Sequence, residues 1–192
     1  MSVPHKALIV VDVQNDFCPG GALATDRGAV VAAAVSGHLR AERDRYGVVV
    51  GTKDWHIDPV GHFAPDGVEP DFQETWPVHC VAGSHGAEVH PELDVDLVDA
   101  WFLKGEHTAA YSGFEGHLDG AETGLADWLR GREVTEVAVC GVATDFCVRA
   151  TALDAVAEGF TVDLLSDLCS PVSEAGGAAA VGQMAAAGVT VV

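Results

Sequence analysis

The 192-residue chain is 48% apolar and 20% charged with 22 glycines, which excludes a disordered chain and suits one compact enzyme-like domain spanning 1–192. Its 29 acids against 10 Lys and Arg give a formal charge of −19; that argues against nucleic acid, which is bound through basic patches, and against anionic membrane surfaces, and no stretch is apolar enough for a span. Five cysteines, at 18, 80, 140, 147 and 169, are odd in number and form no CxxC pair, so neither a disulfide framework nor a zinc ribbon is expected; with no secretory pattern in the opening residues, a reducing cytoplasm is the expected setting.

Taken in chain order, an apolar run at 7–11 reads as a strand, 28–45 as a helix and 47–52 as a second strand. The region 54–91 then breaks the pattern with Pro, Gly, His and Trp; it is too polar for core and too rich in His and Trp for simple disorder, so it is expected to pack over the active end of a sheet. A short strand at 100–103 and a helix at 122–130 follow. Strand 134–140, helix 144–158, strand 160–165, helix 173–187 and strand 189–192 complete the chain. The near-continuous apolar strands are of the kind buried on both faces, and their alternation with helices predicts an α/β fold: a three-layer α/β/α sandwich with a mostly parallel central sheet, its ligands at the carboxyl ends of the strands.

Residues 140–148, Cys-Gly-Val-Ala-Thr-Asp-Phe-Cys-Val, carry a strand to its end and restart it as a helix. Gly141 permits a sharp turn and Thr144 or Asp145 can cap the helix, which places Cys147 in the first turn, where the helix dipole favours a thiolate. The plainer alternative is a small buried thiol, the simplest reading of Cys18, Cys80, Cys140 and Cys169. Asp12 and Lys104 also end predicted strands, and parallel strands bring all three residues to one edge. Together they suit acyl transfer: the carboxylate takes the thiol proton and returns it to a leaving amine, the ammonium steadies the thiolate, and backbone N–H groups of Ala143 and Cys147 receive the oxyanion. Taken singly, Asp12 is as readily a turn-former and Lys104 a solvated charge.

Asp54 and His56 stand two apart, so an extended segment projects both to one side; Pro59 and Gly61 allow the chain to turn back with His62, and His79 arrives from the far end of the loop. One carboxylate and three imidazoles suit a borderline divalent ion such as zinc, iron or manganese, with room for water or substrate. His85, His90 and His107 are weaker competitors, and loop histidines can simply be solvated. Phe17, Trp76 and Tyr111 lie close in sequence to these polar residues and either wall a pocket for a flat ring or serve as ordinary core.

The segments Asp12-Val13-Gln14-Asn15-Asp16-Phe17, Asp54-Trp55-His56 with His62, Trp76-Pro77-Val78-His79-Cys80, Lys104-Gly105 and Gly141 to Val148 together resemble the nicotinamidase (pyrazinamidase) branch of the isochorismatase-like cysteine hydrolases, over nearly the whole chain. The resemblance implies a triad of Asp12, Lys104 and Cys147, and one divalent ion, zinc first, on Asp54, His56, His62 and His79. It also implies a ring pocket walled by Phe17, Trp76 and Tyr111, and a cis peptide between Val142 and Ala143. The implied reaction hydrolyses nicotinamide to nicotinate and ammonia through a thioester, in NAD salvage, in a chain that can form homo-oligomers. Two alternatives stay open: a sister hydrolase of another small amide or carbamoyl compound, and a catalytically silent metal-binding protein on the same scaffold.

Overall fold

A computed structural model describes residues 5–192. Strand β1 (Lys6–Val11) leads to helix α1 (Gly28–Glu42) and β2 (Val48–Asp54). After the long loop come β3 (Ala100–Lys104), the two-residue β4 (His117–Leu118), α2 (Leu125–Arg130) and β5 (Glu136–Val142). The chain ends through α3 (Arg149–Ala157), β6 (Thr161–Ser170), α4 (Glu174–Ala186) and β7 (Thr190–Val191). Among the described residues seven strands form one sheet in the order β4-β3-β2-β1-β5-β6-β7, parallel except for the antiparallel edge strand β4. Helices cover the sheet in a three-layer α/β/α sandwich. Leu8, Ile9, Val49, Val137 and Val139 are fully buried, which is why these strands read as unbroken apolar runs.

The strand order places the chemistry. From β1 the chain works outward through β2 and β3, then returns to lay β5 on the other side of β1 and continues to β6 and β7. The order therefore reverses between β1 and β5, and a doubly wound sheet opens a crevice at the carboxyl ends of such a pair. Val11 stands beside Gly141 across that junction. Gly141 has φ +117°, and a Cβ there would run into the carbonyl of Val11, so the close approach of the two strands needs glycine. The peptide Val142–Ala143 is cis, as the resemblance implied.

Two helix starts differ from the sequence reading, and β6 runs on to Ser170, past the expected end at 165. The helix after β5 begins as a π turn over Thr144–Val148, with the Val148 N–H donating to Ala143 O at 3.1 Å, and becomes α-helical at Arg149. Neither Thr144 nor Asp145 caps it. The Asp145 carboxylate instead accepts the N–H of Val172 (2.8 Å) and Ser173 (3.3 Å), tying the turn to the start of α4. Helix α2 starts at Leu125 because Leu118 N–H donates to Thr123 O and His117 bridges Gly124, so 123–124 serve the sheet edge first. Among the described residues no helix is long and apolar enough to cross a membrane.

Candidate active site and metal centre

Four strand ends deliver the polar residues to the crevice. At the end of β1, Asp12 takes a left-handed conformation (φ 48°) that turns the chain off the sheet and leaves its carboxylate buried. The Thr52 hydroxyl donates to Asp12 Oδ1 at 2.6 Å, and the Asp12 N–H donates to Thr52 O at 3.2 Å. Asp54 and Lys104 are direct partners across β2 and β3. The Lys104 ammonium, also buried, touches Asp54 Oδ1 and lies 2.9 Å from Asp12 Oδ2, 3.3 Å from Ala110 O and 3.6 Å from Cys147 Sγ. One oxygen each of Asp12 and Asp54 and the Cys147 sulfur lie within 4.8 Å of one another.

Burial and pairing set the charges. Burial pulls the Lys104 ammonium down, but Asp12 and Asp54 together outweigh it and hold it well above the ordinary lysine range. Burial also works to raise Asp54; Lys104, His56 and His79 overcome it, and this carboxyl stays ionised below the usual range. For Asp12 burial wins over Lys104, with Asp54 adding its repulsion, so its affinity for a proton is raised. Two carboxylates on one ammonium thus have different roles available, the fixed anion and the proton acceptor. Burial pushes the Cys147 thiol well above its ordinary value despite Lys104. At this buried π turn desolvation outweighs the pull of Lys104 and favours the thiol, where the helix-terminus argument expected a thiolate.

The long loop closes over this end of the sheet. His56 bridges Val81, and Phe63 bridges Trp76. His56, His62 and His79 are buried, with one ring nitrogen from each within 4.8 Å of the others. His56 Nδ1–H donates to Gly105 O at 2.6 Å and His79 Nδ1–H to Pro77 O at 2.7 Å, which orients both rings with Nε2 toward the cluster. These two Nε2 atoms stand 3.3 Å apart, and Asp54 Oδ2 is 3.7 and 3.8 Å from them. Three imidazoles and a carboxylate converging on one point are an arrangement that suits a cation. His62 adds a buried Nδ1 with no partner among the described residues. Burial, with His56 and His79 beside it, holds the His62 imidazole down to about 4, so it is neutral at neutral pH and its lone pair is available to a cation. The donor set fits a divalent ion. Gly105 (φ +77°) completes the frame, since a Cβ there would come within 2.7 Å of the His56 ring.

Of the weaker histidines, His85 is exposed and pairs with Glu88 at 3.0 Å, and His90 and His107 lie outside the cluster. Cys18, Cys80, Cys140 and Cys169 are buried free thiols.

A cavity of about 360 Å³ opens onto these groups, with Asp54, His62, His79, Ala143 and Cys147 in its lining. Phe17, Trp76 and Tyr111 are in its wall, and the Trp76 indole N–H donates to the Tyr111 hydroxyl at 3.0 Å. Sequence reasoning missed several further wall residues, the larger ones being Leu23, Phe72, Phe146 and Val172. Phe146 stands edge-on to Trp76, with ring centroids 5.2 Å apart. Its place next to Cys147 was the available signal; for Leu23 and Val172, which approach only through tertiary folding, there was none.

The isochorismatase domain model matches residues 6–192. The nicotinamidase/pyrazinamidase of Mycobacterium tuberculosis is 51% identical over 187 residues, covering 97% of this chain and 98% of that protein. The structure of Pyrococcus horikoshii pyrazinamidase in complex with zinc is 40% identical, with a TM-score of 0.81 over 98% of this chain and 99% of its own. PnC1 from L. infantum in complex with nicotinate is 35% identical, with a TM-score of 0.83 over 100% and 94%.

Proposed function

Because this chain belongs to the isochorismatase family, we propose that its cavity hydrolyses nicotinamide to nicotinate and ammonia, a step of NAD salvage. The observation that carries this reading is a cavity whose lining holds Cys147, the donor residues Asp54, His62 and His79, and a wall of aromatic rings. A flat heteroaromatic amide suits such a slot, with its ring nitrogen toward the donors and its carboxamide toward the sulfur. Two similar proteins, one described with zinc and one with nicotinate, support the same reading.

Asp54, His56, His62 and His79 would hold a divalent ion, zinc first; when bound, it supplies a Lewis-acidic anchor that orients the ring. In the proposed mechanism Asp12 accepts the Cys147 proton while Lys104, 3.6 Å from the sulfur, steadies the thiolate. The thiolate adds to the carboxamide carbon, and the oxyanion rests on the N–H groups of Ala143 and Cys147. Asp12 passes its proton to the departing nitrogen, ammonia leaves and a thioester remains. Water, deprotonated by Asp12, attacks the thioester; the acid is released and the sulfur regains its proton.

The test is ammonia release from nicotinamide by protein of measured metal content, alongside a panel of other small amides. Nicotinamide is expected to lead the panel; a different leading amide, or no turnover by metal-loaded protein, would discard the assignment. Cys147→Ala is expected to abolish turnover and keep its metal on elemental analysis, whereas His56→Ala loses metal.

A further inference from the structure

Gln14 belongs to the first motif of the family resemblance and takes no part in the chemistry above, yet its side chain is fully buried. A buried primary amide is costly unless its two N–H groups and its oxygen are all satisfied. Here each finds a backbone partner. Nε2 donates to Asp54 O at 2.8 Å and to Ala87 O at 2.9 Å, and Oε1 accepts the Asp54 N–H at 2.9 Å.

The reason lies in how β1 ends. β1 and β2 pair regularly as far as Val10 and Gly51, and at Asp12 the left-handed turn takes β1 out of the sheet. Asp54 nevertheless turns both its N–H and its C=O toward that vacated side, while the next N–H, of Trp55, goes to Lys104 O at 2.9 Å on the β3 side. The Gln14 amide occupies the place of the departed strand. It clasps the main chain of one residue, Asp54, whose Oδ1 meets Lys104 and whose Oδ2 faces the His56 and His79 Nε2 atoms. Its remaining N–H, bonded to Ala87, fastens the far end of the long loop to the same point.

We propose that Gln14 is a positioning residue for the metal centre, setting divalent-ion affinity by holding Asp54 between Lys104 and the imidazole cluster. This rests on the metal-centre reading above. Hydrogen-bonded groups behind a ligand characteristically change metal affinity when removed, by about 10–100-fold.

The experiment strips the purified protein of metal and measures the zinc dissociation constant by competition with a chromophoric chelator for wild type, Gln14→Glu, Gln14→Leu and Leu39→Ala. Gln14→Glu keeps the shape and an acceptor but loses both donors; Gln14→Leu removes every polar contact. Leu39→Ala is a fully buried truncation in α1, outside the site, that weakens the fold without touching it. Zinc binding is expected to weaken about 10–100-fold in both Gln14 variants and to stay at the wild-type value in Leu39→Ala, although its melting temperature falls. Wild-type zinc affinity in a folded Gln14 variant, or an equal loss in Leu39→Ala, overturns the positioning role. A variant-free arm follows the Gln14 side-chain amide resonances of the wild type during zinc titration: they are expected to shift with occupancy, and unchanged resonances overturn the proposal even if both variants fail to fold. A wild type that binds no zinc overturns the metal-centre reading itself, a separate failure.

Discussion

Two carboxylates share one buried ammonium, and the difference between them is a matter of what else each one touches. Asp54 has the imidazoles as well as Lys104 and keeps its charge, whereas burial leaves Asp12 with a raised affinity for a proton. Replacing Asp12 by Asn preserves size and the Thr52 contact but cannot accept the thiol proton; the single-turnover ammonia burst is expected to fall by at least about 100-fold. A retained burst contradicts the role of Asp12 as base. The Cys147 thiol has a second measurable consequence. Its proton is held more tightly than that of a free cysteine, so the thiolate is scarce at neutral pH and increases as the pH rises. Iodoacetamide alkylation of Cys147 is therefore expected to accelerate steadily beyond about pH 9; a plateau at or below neutrality contradicts a resting thiol.

At the scale of elements, the strands were legible because burial on both faces writes itself as an apolar run, and the helix boundaries were less so because hydrogen bonds with distant segments decide them. The missed edge strand β4 is two residues long and has no periodicity to detect. The loop turn carrying Phe72 shows what such segments contribute. The Asp71 carboxylate accepts the N–H groups of Gln73, Glu74 and Thr75, each at 2.9 Å, while the Asp71 N–H donates to the Thr75 hydroxyl at 3.0 Å. This holds Phe72 at φ 56° against the cavity and edge-on to Trp76. Asp71→Ala is expected to raise KM with kcat preserved and to speed hydrogen exchange at 73–75. Those three bonds also depress the Asp71 carboxyl to about 2. Since the folded value lies below the ordinary one, the turn's contribution is complete above about pH 4 and is lost as the pH falls through about 2. The hydrogen exchange of 73–75 follows that titration, and no change with pH would contradict it.

Over the whole molecule, 29 acids against 10 Lys and Arg leave a surplus of negative charge that local pairs such as Arg40–Asp94, Arg43–Asp99 and Arg130–Glu158 do not balance. Mutual repulsion of that surplus opposes the compact state and is screened by salt. The melting temperature is expected to rise between about 0.01 M and about 0.15 M sodium chloride, as the Debye length shortens from about 30 Å to about 8 Å; a flat or falling calorimetric profile contradicts it. The α/β class, the placement of motifs at strand ends and the donor types of the candidate metal site were legible in the residues alone, because apolar runs and ligand chemistry are local properties. Tertiary structure set the distances at which Asp12, Lys104 and Cys147 meet at that edge and placed Asp54 between them and the histidines. It also decided that the thiol keeps its proton and that Gln14 replaces a strand. Those outcomes depend on desolvation and on distances between segments remote in the chain, and neither is set until the sheet has closed around them.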